Sequence, residues 1–362
     1  MKKLVSMMLA LGMTASLLAG CSNSTAPTTT AAPAAGGTTA AGEATTAAEK
    51  ETAAPAADAI TLKLAVESAI GTPGEMSGQK FKEMVEEKTG GSVIIDYYPV
   101  GQLGTGDDLT EQMQSGSVDM SWRAIEWYPK FVPGWNILQM GFLFRDNDHL
   151  VAFLNSEKQA AFREELVTNA GLRMLCDNGI GSARVLISKD PVNTPDDMKG
   201  MNMRVPSIEM YLKVWQEIGV SCVSIPWGES YMALSQGTAD ALESPLGSIY
   251  GMKFYEVAKN ITLTNHIYSP YVMVINENSY QKLSDEQKAI LEECALETGK
   301  LFTQYDEESV KENVEEMKAA GVTINETPDI EAFQAKLADL ATQCEADGVW
   351  PEGLYEYVQN LK

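Results

Sequence analysis

The feature that most constrains the fold is a long helical pattern in the C-terminal third of the chain. It begins after Ser284-Asp285-Glu286-Gln287, a capping box in which serine and glutamine satisfy the first free backbone N–H groups of a helix. Neither proline nor glycine interrupts the run from Lys300 to Ala320. If Asp285 to Ala320 form one helix, it is about 50 Å long at about 1.5 Å per residue. Because this length exceeds one small domain, the sequence predicts a helix that spans two.

Ahead of that helix, strand patterns alternate with helical patterns, which indicates an α/β body with largely parallel sheets. The predicted strands are residues 60–66, 93–97, 118–122, 172–176, 184–188, 201–205 and 271–275. The predicted helices before the long one are residues 76–88, 107–115, 149–170, 208–218 and 229–236. Residues 271–275 look like a strand that returns to the first set. We therefore predict two lobes, one made of 60–181 and 270–309, the other of 182–269 and 310–362.

The N-terminus has the pattern of a bacterial lipoprotein signal peptide. Lys2 and Lys3 precede an apolar run from Leu4 to Leu18, which is too short to span a membrane stably, and Ala19-Gly20-Cys21 follows. This predicts a signal peptide over 1–21, with Cys21 as the lipidated first residue of an exported, membrane-anchored protein. The alternative is an ordinary cleaved signal with an incidental cysteine.

Residues 22–59 are dominated by Thr, Ala, Ser, Pro, Gly and Glu, and aromatic side chains are missing from this stretch. Such a sequence cannot bury enough apolar surface to offset its ordering entropy. We predict a disordered tether between the lipid and the globular body, so that contact with the membrane is made only through the anchor.

Charge and residue spacing exclude several classes of function. The chain has 27 Lys and Arg against 50 Asp and Glu, a formal net charge of −23, which argues against nucleic acid as a partner. Its two histidines, His149 and His266, are far apart, and the five cysteines form no C-x-x-C pair. We therefore predict no metal, no cofactor and no Cys/His catalytic pair.

One arginine is placed to recognise an acid. Arg204 ends the short alternating run 201–205, and Pro206 prevents that run from continuing as a central strand. A guanidinium at a strand end, followed by a helix, can present its two-pronged face to a carboxylate at the sheet edge. Taken alone, the same pattern also fits a surface ion pair.

Around Arg204 the order of motifs is specific. Lys199-Gly200 and Arg204-Val205-Pro206 are followed by Pro226-Trp227-Gly228, Tyr231-Met232-Ala233-Leu234 and Gly237-Thr238-Ala239-Asp240. Further motifs are Tyr98-Pro99-Val100-Gly101-Gln102-Leu103-Gly104, Gly116-Ser117-Val118-Asp119, Lys253-Phe254-Tyr255-Glu256-Val257 and Leu263-Thr264-Asn265-His266. In this order, from about residue 60 to the end, the chain resembles the DctP-like solute-binding proteins of tripartite ATP-independent periplasmic (TRAP) transporters. It departs from the family pattern at Asn202, where lysine is common, and at Ala239-Asp240-Ala241, which replaces Val-Asp-Gly.

The resemblance implies a fold, a function and a set of site residues. The fold is a two-lobed clamp of the periplasmic-binding-protein kind, with a long helix bridging both lobes. The function is capture of an organic acid, a mono- or dicarboxylate such as a sugar acid, for delivery to TRAP membrane subunits. Arg204 is the residue that pairs with the ligand carboxylate. The other implied ligand-binding positions are Arg184, Trp227, Glu243, Ser244, Glu67, Trp122, Glu126 and Trp127, with Glu243 placed to orient the arginines.

Two other functions fit the sequence less well. A surface-anchored hydrolase would use carboxylate pairs such as Asp107-Asp108, but acidic residues are so abundant that pairs arise from composition, and no nucleophile motif accompanies them. A ligand-sensing protein that serves a membrane receptor would have the same fold, and the sequence does not separate it from a transport protein. The identity of the acid also stays open at this stage.

Overall fold

The computed structural model describes residues 59–362, so the predicted signal peptide, Cys21 and nearly all of the predicted tether lie outside the described part of the chain. No helix between 59 and 362 has both the length and the hydropathy that crossing a membrane requires. The described chain forms one compact unit built from two β-sheets and the helices around them.

Eleven strands make up the two sheets. They are β1 (Ile60–Val66), β2 (Val93–Tyr98), β3 (Met120–Ala124), β4 (Leu172–Gly179), β5 (Arg184–Ser188), β6 (Asn202–Val205), β7 (Ser221–Ser224), β8 (Ala241–Pro245), β9 (Asn260–Ile267), β10 (Tyr271–Asn276) and β11 (Thr323–Asn325). The first sheet has the order β2-β1-β3-β10-β4 and the second has the order β11-β9-β5-β8-β6-β7. As predicted, residues 271–276 return the chain to the first sheet.

Both sheets are mixed, so the prediction of largely parallel sheets is wrong in part. In the first sheet β1 runs parallel to β2 and β3, but β10 is antiparallel to both β3 and β4. In the second sheet β6 runs parallel to β7 and β8, whereas β5 is antiparallel to β8 and β9. The antiparallel strands are the ones that receive the chain as it crosses from the other sheet. The crossover segments are residues 180–183 and 268–270.

Twelve α-helices surround the sheets. They are α1 (Pro73–Lys88), α2 (Gly106–Ser115), α3 (Asn147–Leu154), α4 (Glu157–Ala170), α5 (Glu209–Ile218), α6 (Ser230–Gln236), α7 (Leu246–Gly251), α8 (Glu277–Gln281), α9 (Asp285–Ala319), α10 (Ile330–Lys336), α11 (Leu340–Ala346) and α12 (Leu354–Gln359). The single helix predicted over 149–170 is wrong, because α3 and α4 are separate. Ser156 begins α4 by accepting a hydrogen bond from the Gln159 N–H at 3.3 Å, which stops the preceding helix.

The long helix α9 is unbroken, including at Gly299, where the sequence left a break open, and it opens with the predicted capping box at Ser284 and Gln287. Near its N-terminal end it packs on α1 and β4 of the first sheet, and Leu291 and Cys294 join the core there. Towards its C-terminal end it packs on α7, and Met317 joins the core of the second sheet. The helix therefore bridges the two halves of the fold.

The first crossover segment is fastened to α9 by side chains of the helix. The Ile180 N–H donates to Thr303 Oγ1 at 3.1 Å, and the Ser182 N–H donates to Asp306 Oδ2 at 2.6 Å. These bonds satisfy backbone groups that have left the first sheet and have not yet entered the second. The position of the crossover is thus set by the helix that bridges both sheets.

The C-terminal helices contact both halves of the molecule. Phe333 and Leu337 share a core with residues of α5, while a ring nitrogen of His149, Nε2, lies 2.8 Å from the Val358 carbonyl oxygen. All strands of each sheet fall within the residue ranges expected for that lobe, but the lobe boundaries themselves stay a prediction.

The four cysteines of the described chain are unpaired. Cys176, Cys294 and Cys344 are buried, but Cys222 is only half-buried. It lies on β7, which is the edge strand of its sheet and has a neighbour on one side only.

Candidate functional site

A cavity lies between the two sheets, where the crossovers and α9 also meet. Its walls come from both halves of the fold. Among the residues that line it are Glu67, Ser68, Pro73, Arg123, Glu126, Trp127, Ser182, Arg184, Arg204, Tyr211, Trp227, Ser244, Met252, Ser269, Tyr271, Phe302 and Asp306. Most of the residues expected from the sequence are in this set. Arg184, Arg204, Trp227 and Ser244 come from the second half, and Glu67, Glu126 and Trp127 come from the first.

Arg204 projects from β6 and is 3 % exposed. Its Nε and Nη2 both donate to the Ile225 carbonyl oxygen, at 2.9 and 2.7 Å, which fixes the plane of the guanidinium. Within residues 59–362 no carboxylate pairs with this side chain, and its Nη1 has no hydrogen-bond acceptor. Burial lowers the pKa of Arg204 to about 10, which still leaves it charged at neutral pH. It is a fixed, buried cation without a counter-ion.

The neighbouring arginine is paired with a carboxylate of the protein. Arg184 makes a two-pronged ion pair with Glu243, through Nε to Oε2 and through Nη2 to Oε1 at 2.9 Å. Glu243 is completely buried, and its Oε2 also lies 3.5 Å from His266 Nε2. Burial opposes the charge on Glu243, but attraction to Arg184 and the nearby His266 lower its pKa to about 2. Glu243, one of the expected ligand-binding positions, does not line the cavity and pairs with Arg184 instead. The role in orienting the arginines that the resemblance implies for it stays a prediction.

Glu126 is the carboxylate that reaches across from the first half. It sits in a short 3-10 turn, Ile125–Trp127, directly after β3. Its Oε1 accepts a hydrogen bond from the Tyr211 hydroxyl at 3.0 Å and lies 3.5 Å from Arg184 Nη1. Its Oε2 is buried and has no hydrogen-bond partner in the described chain. One oxygen of this carboxylate is therefore used by the protein and the other is not.

A third arginine holds the loops of the first half in place. Arg123 Nη1 donates to Glu67 Oε1 at 2.9 Å and to the Gly106 carbonyl oxygen at 2.8 Å, and Nη2 donates to Thr110 Oγ1 at 2.5 Å. Its guanidinium carbon also lies 5.9 Å from the centre of the Trp127 ring. These bonds use the donors of Arg123, so it positions Glu67 and Trp127 rather than offering a free charge.

Trp122 is not part of the site, contrary to the prediction. It is fully buried, its Nε1 donates to Ser77 Oγ at 2.9 Å, and its ring packs edge-on against Phe302. The reason is the position of β3. The strand runs over Met120–Ala124 rather than 118–122, so Trp122 pairs within the sheet instead of ending it. Its ring supports the cavity from beneath.

Trp227 lies at the start of a 3-10 turn and is half-buried. Its ring packs edge-on against Phe254, and the Arg204 guanidinium carbon lies 5.5 Å from its centre. A tryptophan face beside a buried cation both stabilises the cation and offers apolar surface to a bound molecule. Trp227 therefore packs against Phe254 and also lines the cavity.

Sequence reasoning missed several residues of the cavity, among them Tyr211, Ser269 and Asp306. The Tyr211 hydroxyl bonds Glu126. Ser269 lies in the second crossover, and its buried Oγ has no partner in the described chain. Asp306 is buried on α9 and accepts from the Ser182 N–H, and burial raises its pKa. The one sequence signal that could have indicated Asp306 is its polar side chain on the buried stripe of α9. The sequence contains no signal for Ser269.

Metal binding finds no support in this arrangement. Residues 59–362 contain no group of three or more His, Cys, Asp or Glu side chains placed to hold a metal ion. The cavity instead combines one arginine that lacks a counter-ion, paired charges around it and aromatic surface. Such a site suits an anionic organic molecule.

Comparisons with known proteins point the same way. The family model described as bacterial extracellular solute-binding protein, family 7, DctP, matches residues 66–347. The sialic acid-binding periplasmic protein SiaP of Vibrio cholerae is 29% identical over 282 residues, which cover 78% of this chain and 87% of that protein.

Two solved structures have the same fold. A TRAP periplasmic solute-binding protein of Chromohalobacter salexigens with bound D-glucuronate has a TM-score of 0.79 at 28% identity, covering 83% of this chain and 100% of the other. One of Actinobacillus succinogenes with bound L-galactonate has a TM-score of 0.77 at 27% identity, covering 83% and 98%. The two-lobed clamp fold predicted from the sequence is thereby confirmed.

Proposed function

Because this chain belongs to family 7 of the bacterial extracellular solute-binding proteins, the DctP family of TRAP transporters, we propose that it captures an organic acid through Arg204 and delivers it to the membrane subunits of such a transporter. The predicted resemblance to this family is confirmed by the matches above. Catalysis is no part of the proposal, since the family consists of binding proteins for transport.

The observation that carries the proposal is the state of Arg204. It is buried, fixed by the Ile225 carbonyl, and has no carboxylate partner within residues 59–362. A buried charge without a partner is costly, and a ligand carboxylate supplies what the protein does not. The ligands named for the three similar proteins, sialic acid, D-glucuronate and L-galactonate, share a carboxylate. Ser244 and Trp227 lie beside Arg204 in the cavity wall and are placed to contact the rest of the ligand.

The test is calorimetry on Arg204→Lys with sialic acid, D-glucuronate and L-galactonate as probes. Lysine keeps the charge but cannot present a two-pronged donor, so we expect the best-bound probe to lose about 2 kcal/mol, or about thirtyfold in affinity. Arg145→Lys is the matched control, because Arg145 is exposed and bonds only carbonyls of the C-terminal segment. Equal binding by wild type and Arg204→Lys would contradict the proposal.

We also propose that Cys21 carries the lipid that holds the protein at the outer face of the membrane. The support is the sequence pattern of a basic start, a short apolar run and Ala19-Gly20-Cys21. Cys21→Ser should move the protein from the membrane fraction to the soluble fraction of its host. A variant that stays with the membrane would show that another feature anchors it.

A further inference from the structure

Two polar atoms in the cavity wall are buried and lack any hydrogen-bond partner in the described chain: Glu126 Oε2 and Ser269 Oγ. They belong to neighbouring segments, because the Ile125 N–H donates to the Pro270 carbonyl oxygen at 3.1 Å. Buried polar groups in folded proteins are nearly always bonded, so an unpartnered pair in a binding cavity indicates groups that a ligand completes. A carboxylate oxygen only accepts, whereas a serine hydroxyl both donates and accepts.

The arginines of the cavity can neutralise one carboxylate and no more. Arg184 is held by Glu243 and lies against Glu126, and Arg123 is held by Glu67 and by oxygens of α2. Arg204 alone among these three lacks a carboxylate partner in residues 59–362. A ligand with a second carboxylate would find no free cation for it.

Three acidic side chains share the cavity with Arg204. Glu67, Glu126 and Asp306 all contribute to its wall, and Asp306 has no cationic partner within residues 59–362. A second ligand carboxylate close to these groups would be repelled by their like charges. A ligand hydroxyl, in contrast, can donate to Glu126 Oε2 and accept from Ser269. Arg184, 3.5 Å from Glu126, disfavours an ammonium group in the same place.

We propose that the cavity selects hydroxylated monocarboxylic acids over dicarboxylic acids, with a ligand hydroxyl held between Glu126 Oε2 and Ser269 Oγ. This inference rests on the proposed function, because it takes Arg204 as the partner of the single carboxylate. Glu126 and Ser269 are then specificity-determining residues, and Arg204 sets the class of ligand.

The experiment compares acids that differ only in the end of the chain remote from the carboxylate. Suitable pairs are D-erythronate with meso-tartrate, D-gluconate with D-glucarate, and L-galactonate with galactarate, each pair sharing its hydroxyl configuration. Calorimetry on the wild type should show the monocarboxylate of at least one pair binding at least a hundredfold more tightly than its dicarboxylate. A ratio near one in the pairs that bind, or binding of neither member of any pair, overturns the inference.

Two variants test the assigned residues. Glu126→Gln keeps an acceptor for Tyr211 but replaces the free oxygen by a donor and removes the charge. It should weaken the monocarboxylate at least tenfold and lower the preference over the dicarboxylate. Ser269→Ala should weaken the monocarboxylate at least threefold and leave the dicarboxylate unchanged. Glu229→Gln is the matched control, because Glu229 is exposed, does not line the cavity, and its replacement changes the net charge equally.

Arg204→Lys separates failure of this inference from failure of the proposed function. If Arg204→Lys weakens binding of the acids about thirtyfold but Glu126→Gln and Ser269→Ala leave the preference intact, only the selection argued here is wrong. If Arg204→Lys leaves binding unchanged, the proposed function fails as well. Thermal unfolding shows whether each variant folds. Because Glu126→Gln and Ser269→Ala lie in different segments, either one can test the inference if the other fails to fold.

Discussion

At the scale of single residues, Glu243 and Arg204 lie on neighbouring strands and carry buried charges with different partners. Glu243 is bonded by Arg184 and approached by His266, so its charge is compensated within the protein. Within residues 59–362, Arg204 is hydrogen-bonded only to a carbonyl oxygen. The first arrangement contributes to the stability of the fold, and the second fits the ligand-binding role proposed for Arg204.

Glu243→Gln tests the structural half of this contrast. Breaking a buried ion pair leaves the remaining charge uncompensated, so we expect the free energy of unfolding at pH 7 to fall by about 3 kcal/mol. The folded-state pKa of Glu243, about 2, is lower than its ordinary value of 4.5. Its contribution is therefore present above about pH 4.5 and lost as the pH falls towards 2.

Urea unfolding of wild type and Glu243→Gln at pH 7 and at pH 3 provides the measurement. The difference between the two proteins should be smaller at pH 3 than at pH 7. A constant difference at both values would mean that the glutamine acts through shape and not through lost charge.

At the scale of elements, α9 shows how one helix can serve both sheets. It is continuous over Asp285–Ala319 although it contains Gly299. The reason for a glycine there is close packing, because a Cβ at 299 would lie 2.0 Å from Asn178 Oδ1 at the end of β4. The glycine therefore lets the helix and the end of β4 approach closely without a shift of the Asn178 side chain.

Gly299→Ala should therefore destabilise the protein. Alanine favours a helix over glycine by about 1 kcal/mol, but the clash with Asn178 forces a shift that costs about 1–3 kcal/mol, so a net loss is expected. Thermal unfolding is the measurement. Gly228→Ala is the matched control, since no atom lies within 4 Å of a Cβ there.

Adding Asn178→Ala to Gly299→Ala should restore part of the lost stability, because it removes the atom that the new methyl group meets. Each loss of stability is measured relative to wild type. If the loss in the double variant equals the sum of the losses in the two single variants, the two residues do not interact in the way the structure indicates.

Helices and strands with a long sequence pattern were predicted correctly. The ends of elements were predicted poorly where they depended on a short local signal. The helix α9 has a capping box and twenty residues without a breaker, so its pattern outweighed Gly299. The division between α3 and α4 depended on Ser156 and Gln159 alone, a short signal inside a continuous apolar pattern. A two-residue error at β3 was enough to assign Trp122 to the cavity. A side chain at the end of this strand can reach the cavity, whereas Trp122 lies inside the strand and is buried in the sheet. Ser269, in an irregular crossover, offered no pattern.

At the scale of the whole molecule, the two sheets are joined by two crossovers and by α9, and the cavity lies between them. A clamp of this kind closes when both halves contact the same ligand, since binding favours the arrangement in which both sets of contacts are made. Arg204 and Trp227 come from one half and Glu67 and Glu126 from the other. We predict that the protein becomes more compact when an acid binds.

Small-angle scattering on the same protein with and without saturating ligand measures this change. The radius of gyration should fall on adding the best-bound acid from the calorimetric panel. Arg204→Lys at the same acid concentration should show a smaller change, in proportion to its lower occupancy. An unchanged scattering curve for the saturated wild type would count against closure.

The bonds from Arg204 to the Ile225 carbonyl also bear on how such a protein can evolve. A main-chain oxygen is present whatever residue occupies position 225, so substitution there leaves the support of the arginine in place. The side chains assigned here to ligand choice, Glu126 and Ser269, have no such protection, and single-nucleotide changes can alter them freely. On the role proposed for Arg204, descendants of this protein can diverge in the acid they take up while they inherit the same anchor for its carboxylate.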